Sequence, residues 1–273
     1  LIDNPNRHNS GFGLKKFIKY TKFLEGNALF KRYRHFLGDA FATETKKYVD
    51  SLITTSFNAY WQYDLLERGK TYYFFSRLFY KIFRKDLFVK NIKTYVCNVD
   101  KDYFIERTKE YAEGIFKNAL TSPDNFLMVD QIVPSSNIED FLPYFNDIKI
   151  FLVDRDPRDL YLSEKYVWRE GVVPASPEEF VEWYKYCRKD QKRNIENENV
   201  CFLRFEAMIY DYENTKRKIV RFAGIDEERH INPLSKFNPE ISKKNTKLYL
   251  KYPQEKENIK IIEERLSEYL YNS

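Results

Sequence analysis

The first half of the chain carries apolar residues at helical spacing. The pattern recurs in the stretches Leu14–Leu24, Thr43–Leu52, Thr71–Phe83 and Tyr103–Leu120. The last stretch stops before Thr121-Ser122-Pro123-Asp124, a sequence typical of a turn. The pattern therefore predicts a mostly helical region over residues 14–120.

From residue 126 onward the pattern changes to short, continuous apolar runs. These runs are Phe126–Val129, Lys149–Val153 and Val200–Phe205. Apolar runs of strand length with helical segments between them are typical of parallel strands covered on both faces. Residues 126–273 are therefore predicted to form an α/β part with a central parallel sheet between helices, a three-layer fold. We expect residues 1–273 to form a single domain.

The ends of the helices between these runs can be predicted from capping residues in the sequence. Ser176 is a predicted N-cap, with Pro177 at the first helical position and Glu179 as its capping-box partner. A further helix is predicted over about 213–222, ending at Gly224, which favours the left-handed conformation of a helix C-terminus. The last helix is predicted over about 254–271.

The second apolar run ends in a dense group of charges, in the sequence KIFLVDRDPRDLYLS at residues 149–163. Asp156 is a predicted N-cap, with Asp159 in the first turn of the helix. Ligands of α/β folds bind at the carboxyl ends of strands, where a helix N-terminus offers free N–H groups and an arginine such as Arg155 offers a fork of donors. Alternatively, both aspartates only cap the helix while Arg155 pairs with a carboxylate.

These residues resemble the 3′-phosphate-binding segment of sulfotransferases, which use 3′-phosphoadenosine 5′-phosphosulfate (PAPS) as sulfuryl donor. The resemblance implies that Arg155 and Ser163 grip the 3′-phosphate of the nucleotide. Val200–Ile225 is similar to the family's strand, Arg-x-Glu, helix and Phe-x-Gly element. Asn238–Tyr252, called the late loop below, resembles the segment that closes over the nucleotide. The resemblance thus implies phosphate contacts for two of its lysines, Lys243 and Lys244.

The chain departs from the family at the loop that binds the 5′-phosphosulfate. That loop is rich in Gly, Ser and Thr and follows the first strand, and no such sequence is found here. Asn9–Lys16 contains glycines and lysines, but no apolar strand precedes it, so it is predicted to be a loop and helix start. The alternative is a degenerate anion-binding loop. We expect the first strand and its loop to precede Leu1; otherwise the chain has lost its donor site.

Sulfuryl transfer also needs a base that takes the proton of the acceptor hydroxyl. The resemblance implies a base just after the strand that precedes the charged residues, in FLMVDQIVP at 126–134. Asp130 can serve as that base if it is partly desolvated, whereas Gln131 cannot. The alternatives are that Asp130 is a turn or cap carboxylate, or that the base lies upstream of Leu1.

Three residues are candidates for binding the acceptor. His8 lies in a polar, loop-like sequence, and Trp61 and Asp64 belong to an aromatic and polar cluster of the kind that binds sugars. The alternative is that all three are structural or simply exposed. Glu206 is interpreted as a salt-bridge partner rather than a catalytic residue.

The helix predicted at 71–83 interleaves aromatic and basic residues up to Lys85. One interpretation is that its aromatic face packs on the core while its charges are solvated. The other is a basic amphipathic helix that lies on a membrane surface.

Composition narrows the function classes. The net charge of +5 does not indicate nucleic-acid binding, for which a basic stripe is expected. The 3 cysteines lack metal-binding spacing, so we expect no metal site and a reducing compartment.

The sequence as a whole is interpreted as a cytoplasmic, bacterial sulfotransferase that acts on a carbohydrate or surface-glycan precursor. Contact with the inner face of the membrane is left open. Two different functions also fit the sequence: a catalytically inactive nucleotide- or glycan-binding relative, and a membrane-surface module.

Overall fold

The computed structural model describes residues 7–27, 37–59, 68–84, 92–120, 122, 126–189 and 198–271. This part of the chain is mixed α/β and mostly helical. It divides into two compact units, described separately below. The first unit is Leu1–Asp130 with Pro143–Asn146, and the second is Gln131–Leu142 with Asp147–Ser273.

The first unit contains the predicted helices and two strands that the pattern did not predict. Its elements are α1 Arg7–Gly26, α2 Ala40–Leu52, β1 Thr55–Ala59, α3 Lys70–Phe83, β2 Ile92–Val96 and α4 Lys101–Phe116, followed by a 3-10 turn at Lys117–Ala119. All the helices predicted over 14–120 are confirmed, with bounds that differ by a few residues. β1 and β2 are antiparallel, with Thr55 opposite Val96 and Ala59 opposite Ile92.

Helix α1 packs closely against β2. A Cβ atom on Gly11 would lie 1.9 Å from the carbonyl oxygen of Tyr95, so only glycine fits at this crossing. Ser10 Oγ donates to the carbonyl of Cys97 at 2.6 Å beside it. The segment Asn9–Lys16 is therefore helical and packs on a strand, and the alternative of a degenerate anion-binding loop is wrong.

The second unit alternates strands and helices. Its elements are α5 Ile138–Phe141, β3 Ile150–Asp154, α6 Pro157–Ser163, α7 Pro177–Cys187, β4 Val200–Arg204, α8 Phe205–Tyr210, α9 Tyr212–Ala223, α10 Pro239–Ser242 and α11 Lys256–Arg265. The predicted helix ends are confirmed at two places. Ser176 Oγ accepts the N–H of Glu179 at 3.1 Å, and Gly224 ends α9 with a φ of 66°. The helix predicted over 254–271 is α11 flanked by 3-10 turns.

β3 and β4 pair in parallel, with Ile150 opposite Val200 and Asp154 opposite Arg204. This confirms parallel pairing for two of the three apolar runs. The remaining run, Phe126–Val129, was wrongly predicted to be a strand, because it is exposed and pairs with no strand among the described residues. The prediction that both faces of the sheet are covered is also wrong at Val153, which is 55% exposed. Among the residues described, the sheet has only this pair, so a three-layer fold with a central sheet is not seen.

The core of the second unit packs α6, α7 and α11 together. Leu162, Phe180, Ile262 and Leu266 are fully buried there. This core fixes the carboxyl end of β3 and the start of α6, where the charged residues lie. None of the described helices is long and apolar enough to cross a membrane.

Candidate anion-binding site

The charged segment, defined here as Asp154–Asp159, joins β3 to α6. It is buried throughout, although all but one of its residues are charged. Asp154, Asp156 and Asp159 are each 2% exposed. A buried carboxylate is costly unless it is hydrogen-bonded and compensated, so its partners reveal what each residue does.

Asp156 holds the N-terminus of α6. Its carboxylate accepts the backbone N–H of Arg158 at 2.9 Å and the N–H of Tyr271 at 3.0 Å. It also receives the Arg158 guanidinium, at 3.0 Å from Nε and 2.7 Å from Nη2. The expectation of free N–H groups at this helix end is therefore wrong at Arg158, because the carboxylate of Asp156 occupies the position that a bound anion would take.

Asp154 lies at the end of β3 beneath that turn. It accepts the hydroxyl of Tyr184 at 3.0 Å and the guanidinium of Arg188 at 2.7 Å. Arg204, its neighbour across the strand pair, approaches to 3.5 Å. Asp154 thus anchors the strand pair to α7 and has no surface left for a ligand.

Glu206 closes the network from the start of α8. Its carboxylate accepts the backbone N–H of Asp156 at 2.7 Å and lies 3.6 Å from Nε of Arg204. Burial raises the pKa of Glu206, against the lowering effect of these donors. These contacts agree with the interpretation of Glu206 as a salt-bridge partner.

Arg155 differs from the other charges in this segment. Its Nη2 donates to Ser163 Oγ at 2.7 Å and to the carbonyl of Asn245. Within the described part of the chain, no carboxylate forms an ion pair with it, and its Nε is buried without an acceptor. The alternative in which Arg155 pairs with a neighbouring carboxylate is therefore wrong for these residues.

Two aromatic rings flank the Arg155 guanidinium. Its carbon lies 4.9 Å from the ring centroid of Phe205 and 5.4 Å from that of Trp168, which is about half exposed. Burial lowers the pKa of Arg155, against the raising effect of Asp159. Contact with ring faces partly compensates a guanidinium for lost water. Arg155 is thus a buried cation whose Nε has no acceptor, a state that it shares with the Nε atoms of Arg107 and Arg204 among the described residues.

The late loop closes on the charged segment through Asp159. The two oxygens of that carboxylate accept the N–H groups of Lys247 at 2.8 Å and Leu248 at 2.7 Å. Burial raises the pKa of Asp159 to about 6, against the lowering effect of these two hydrogen bonds. Asp159 therefore does not cap its own helix in the expected way. It holds the late loop so that Asn245 reaches Arg155.

Two of the residues assigned to the 3′-phosphate by resemblance, Arg155 and Ser163, are in contact here. Arg155 contacts Ser163 directly, and Lys243 and Lys244 lie exposed in the 3-10 turn that ends at Asn245. The contact joins one buried guanidinium to one hydroxyl, donor types that suit a phosphate, and the turn that carries the two lysines meets Arg155 through the carbonyl of Asn245.

The remaining predicted site residues belong to the first unit or lie outside the described residues. Asp130 is exposed in a bend rather than at a strand tip, so the desolvation that a base role requires is absent. His8 lies in α1, not in a loop, and its side chain is outside the described positions. Trp61 and Asp64 also lie outside the described residues.

Sequence reasoning missed Trp168, Phe205 and Asn245. Trp168 ends a π-helical turn, Glu164–Trp168, that continues α6 and carries the indole back over Arg155. Such turns are rare and frequent at functional sites. The only signal in the sequence was an aromatic residue close after Ser163, which by itself indicates nothing about a site.

Comparison with known proteins gave no relative. No family model, no curated protein and no solved structure matches the chain.

Proposed function

We propose that this chain is a sulfotransferase that moves a sulfuryl group from PAPS to a hydroxyl group of a carbohydrate-type acceptor. The observation that carries the proposal is the state of Arg155. It is a buried cation beside a hydroxyl, with an N–H that lacks an acceptor and with no paired carboxylate among the described residues. The resemblance of 149–163 to the 3′-phosphate segment of sulfotransferases supplies the ligand class.

In this proposal the 3′-phosphate binds at Arg155 and Ser163, and Lys243 and Lys244 meet it from the late loop. The sulfur–oxygen bond to the 5′-phosphate breaks as the acceptor oxygen bonds to sulfur. The acceptor's proton goes to a base, and 3′-phosphoadenosine 5′-phosphate leaves. Because negative charge spreads over the sulfuryl oxygens in transit, catalysis depends mainly on positioning and on cations or N–H donors.

Calorimetric titration tests the nucleotide site directly. The two ligands are 3′-phosphoadenosine 5′-phosphate and adenosine 5′-phosphate, which differ only in the 3′-phosphate. We expect tighter binding of the first. Losing a hydrogen bond to a charged group costs about 1.5–3 kcal/mol, so Arg155→Met should weaken binding roughly 10- to 100-fold. Ser163→Ala should weaken it less, because a neutral hydrogen bond contributes about 1 kcal/mol.

Arg221→Met is the matched control, because it removes one positive charge from an exposed position on α9 of the same unit. The control should bind like the original chain. Equal affinity for the two nucleotides, or an Arg155→Met variant that binds as well as the control, would remove the 3′-phosphate assignment. Binding of both nucleotides without any transfer would instead support the catalytically inactive relative.

The base remains a separate question. Because Asp130 is exposed and belongs to the first unit, we expect Asp130→Asn to leave release of 3′-phosphoadenosine 5′-phosphate from PAPS nearly unchanged in the presence of saccharide acceptors. Its affinity for the nucleotide should not change. A fall in the release rate of about 10²- to 10⁴-fold, the range of general-base catalysis, would instead identify Asp130 as the base.

A further inference from the structure

Helix α3 is both cationic and apolar on its surface. The segment 68–84 contains no acidic residue, whereas its basic residues are Arg68, Lys70, Arg77, Lys81 and Arg84. Its positive charge is therefore not balanced locally, and it favours an anionic partner.

The apolar side chains of α3 face solvent. No residue of α3 is buried, and Phe74, Phe75 and Ile82 are 65%, 58% and 63% exposed. By contrast, α2 of the same unit buries Phe41 and Leu52 in the core. The interpretation in which the aromatic face of α3 packs on the core is therefore wrong for these residues. So much exposed apolar surface marks an interaction site.

The two kinds of residue run side by side along the helix. Phe74, Leu78 and Ile82 are four residues apart, so they form one stripe. Arg77 and Lys81 each follow a member of that stripe by three residues, and Lys70 precedes Phe74 by four. The basic groups thus line one edge of the apolar stripe, the arrangement of helices that lie in a membrane interface.

We propose that α3 binds flat on the surface of an anionic lipid bilayer. Its apolar stripe enters the boundary between headgroups and acyl chains, and its basic side chains extend to the lipid phosphates. A helix of 14 residues is about 21 Å long, too short to span a bilayer. Its lack of acidic residues favours a uniformly anionic surface over a protein surface, where charges of both signs alternate. This proposal is independent of the nucleotide site.

Co-sedimentation of the full chain with vesicles tests it. The vesicles are phosphatidylcholine alone, or equimolar phosphatidylcholine and phosphatidylglycerol. We expect binding only to the anionic vesicles. Each basic residue near such a surface contributes about 1 kcal/mol, so the double variant Arg77→Gln, Lys81→Gln should bind roughly 30-fold more weakly. The double variant Phe74→Ser, Ile82→Ser should lose binding, and both changes are at exposed positions outside the core.

The control is the double variant Lys236→Gln, Lys260→Gln. It removes the same two charges from exposed positions of the second unit, and it should bind like the original chain. Absent binding to the anionic vesicles, or a control that is weakened as much as the α3 charge variant, would overturn the proposal. A third result would also overturn it: a chain that does not bind vesicles, is dimeric in gel filtration, and becomes monomeric in the Phe74→Ser, Ile82→Ser variant. In that case α3 would be a self-association surface.

Discussion

Replacing Arg158 by Met should destabilise the second unit strongly. Arg158 makes three charge-assisted hydrogen bonds, two to Asp156 at 3.0 and 2.7 Å and one to Glu263 at 2.8 Å. Met keeps much of the side-chain volume but leaves Asp156 buried with only backbone N–H donors. Removing one partner of a buried ion pair costs about 3–5 kcal/mol, and we expect a loss of that size in the free energy of unfolding.

The same replacement at Arg155 should have a much smaller effect on stability. The Arg155 guanidinium donates to neutral acceptors only, and its Nε is buried without a partner. Met removes these hydrogen bonds but also removes a buried charge that is incompletely satisfied. We expect the free energy of unfolding to change by no more than about 1.5 kcal/mol in either direction, which is the net value of a hydrogen bond or two.

Urea unfolding followed by tryptophan fluorescence measures both effects. Trp168 and Trp183 lie in the second unit, so a Trp61→Phe background restricts the signal to that unit. Arg265→Met is the control, because its ion pair with Glu182 is exposed and should contribute less than about 1 kcal/mol.

Two results would contradict these expectations. The first is an Arg155→Met variant that loses as much stability as Arg158→Met. The second is an Arg158→Met variant that loses no more stability than the Arg265→Met control. The first result would mean that Arg155 is a structural cation, and it would weaken the nucleotide proposal as well. The second would mean that the buried pair of Arg158 and Asp156 does not stabilise the folded unit.

Two further predictions concern packing and pH. Gly11→Ala should cost more than about 3 kcal/mol in urea unfolding, because its Cβ would overlap the Tyr95 carbonyl at 1.9 Å, whereas Gly26→Ala, with open space around its Cβ, should be neutral or slightly stabilising. The raised pKa of Asp159, about 6 against an ordinary 3.8, means that the folded chain binds the proton more tightly than the unfolded chain. Its contribution to stability is therefore greatest below pH 4 and is lost as pH rises through 6, by roughly 3 kcal/mol in all. The slope of stability against pH over that window should flatten in Asp159→Asn; an unchanged slope would contradict the assignment.

The helices could be predicted because their signals are local. The cap at Ser176 and the stop at Gly224 depend on residues within one turn, and both form as expected. The spacing of apolar residues predicted α2 because Tyr48, Val49 and Leu52 share one buried face. None of this requires knowledge of the rest of the chain.

The strands were harder because a strand is stabilised by a partner that may be far away in sequence. β1 and β2 pair across α3, and neither carries an apolar run long enough to be noticed. Phe126–Val129 has such a run but finds no partner among the described residues. An apolar run therefore indicates that a segment can be buried, whereas a strand forms only where a partner strand pairs with it.

The roles of the two arginines could not be separated from the sequence. Arg155 and Arg158 stand in the same charged segment, and either could have been the ligand-binding one. What separates them are contacts made by distant residues: Glu263 and Tyr271 complete the surroundings of Arg158 and Asp156, while Asn245 reaches Arg155. The resemblance to sulfotransferases chose Arg155, but it gave no reason why the second arginine is unsuitable.

The many charged residues at the end of β3 can be buried together because the carboxylates have partners other than Arg155. Asp154 binds Arg188, and Asp156 binds Arg158, so both carboxylates are neutralised by arginines other than Arg155. Asp159 instead accepts backbone N–H groups and influences Arg155 only at longer range. A carboxylate paired directly with Arg155 would compete with any anionic ligand. The segment therefore places a cation at a strand end and surrounds it with carboxylates that have their own partners, which is the arrangement that the proposed nucleotide site requires.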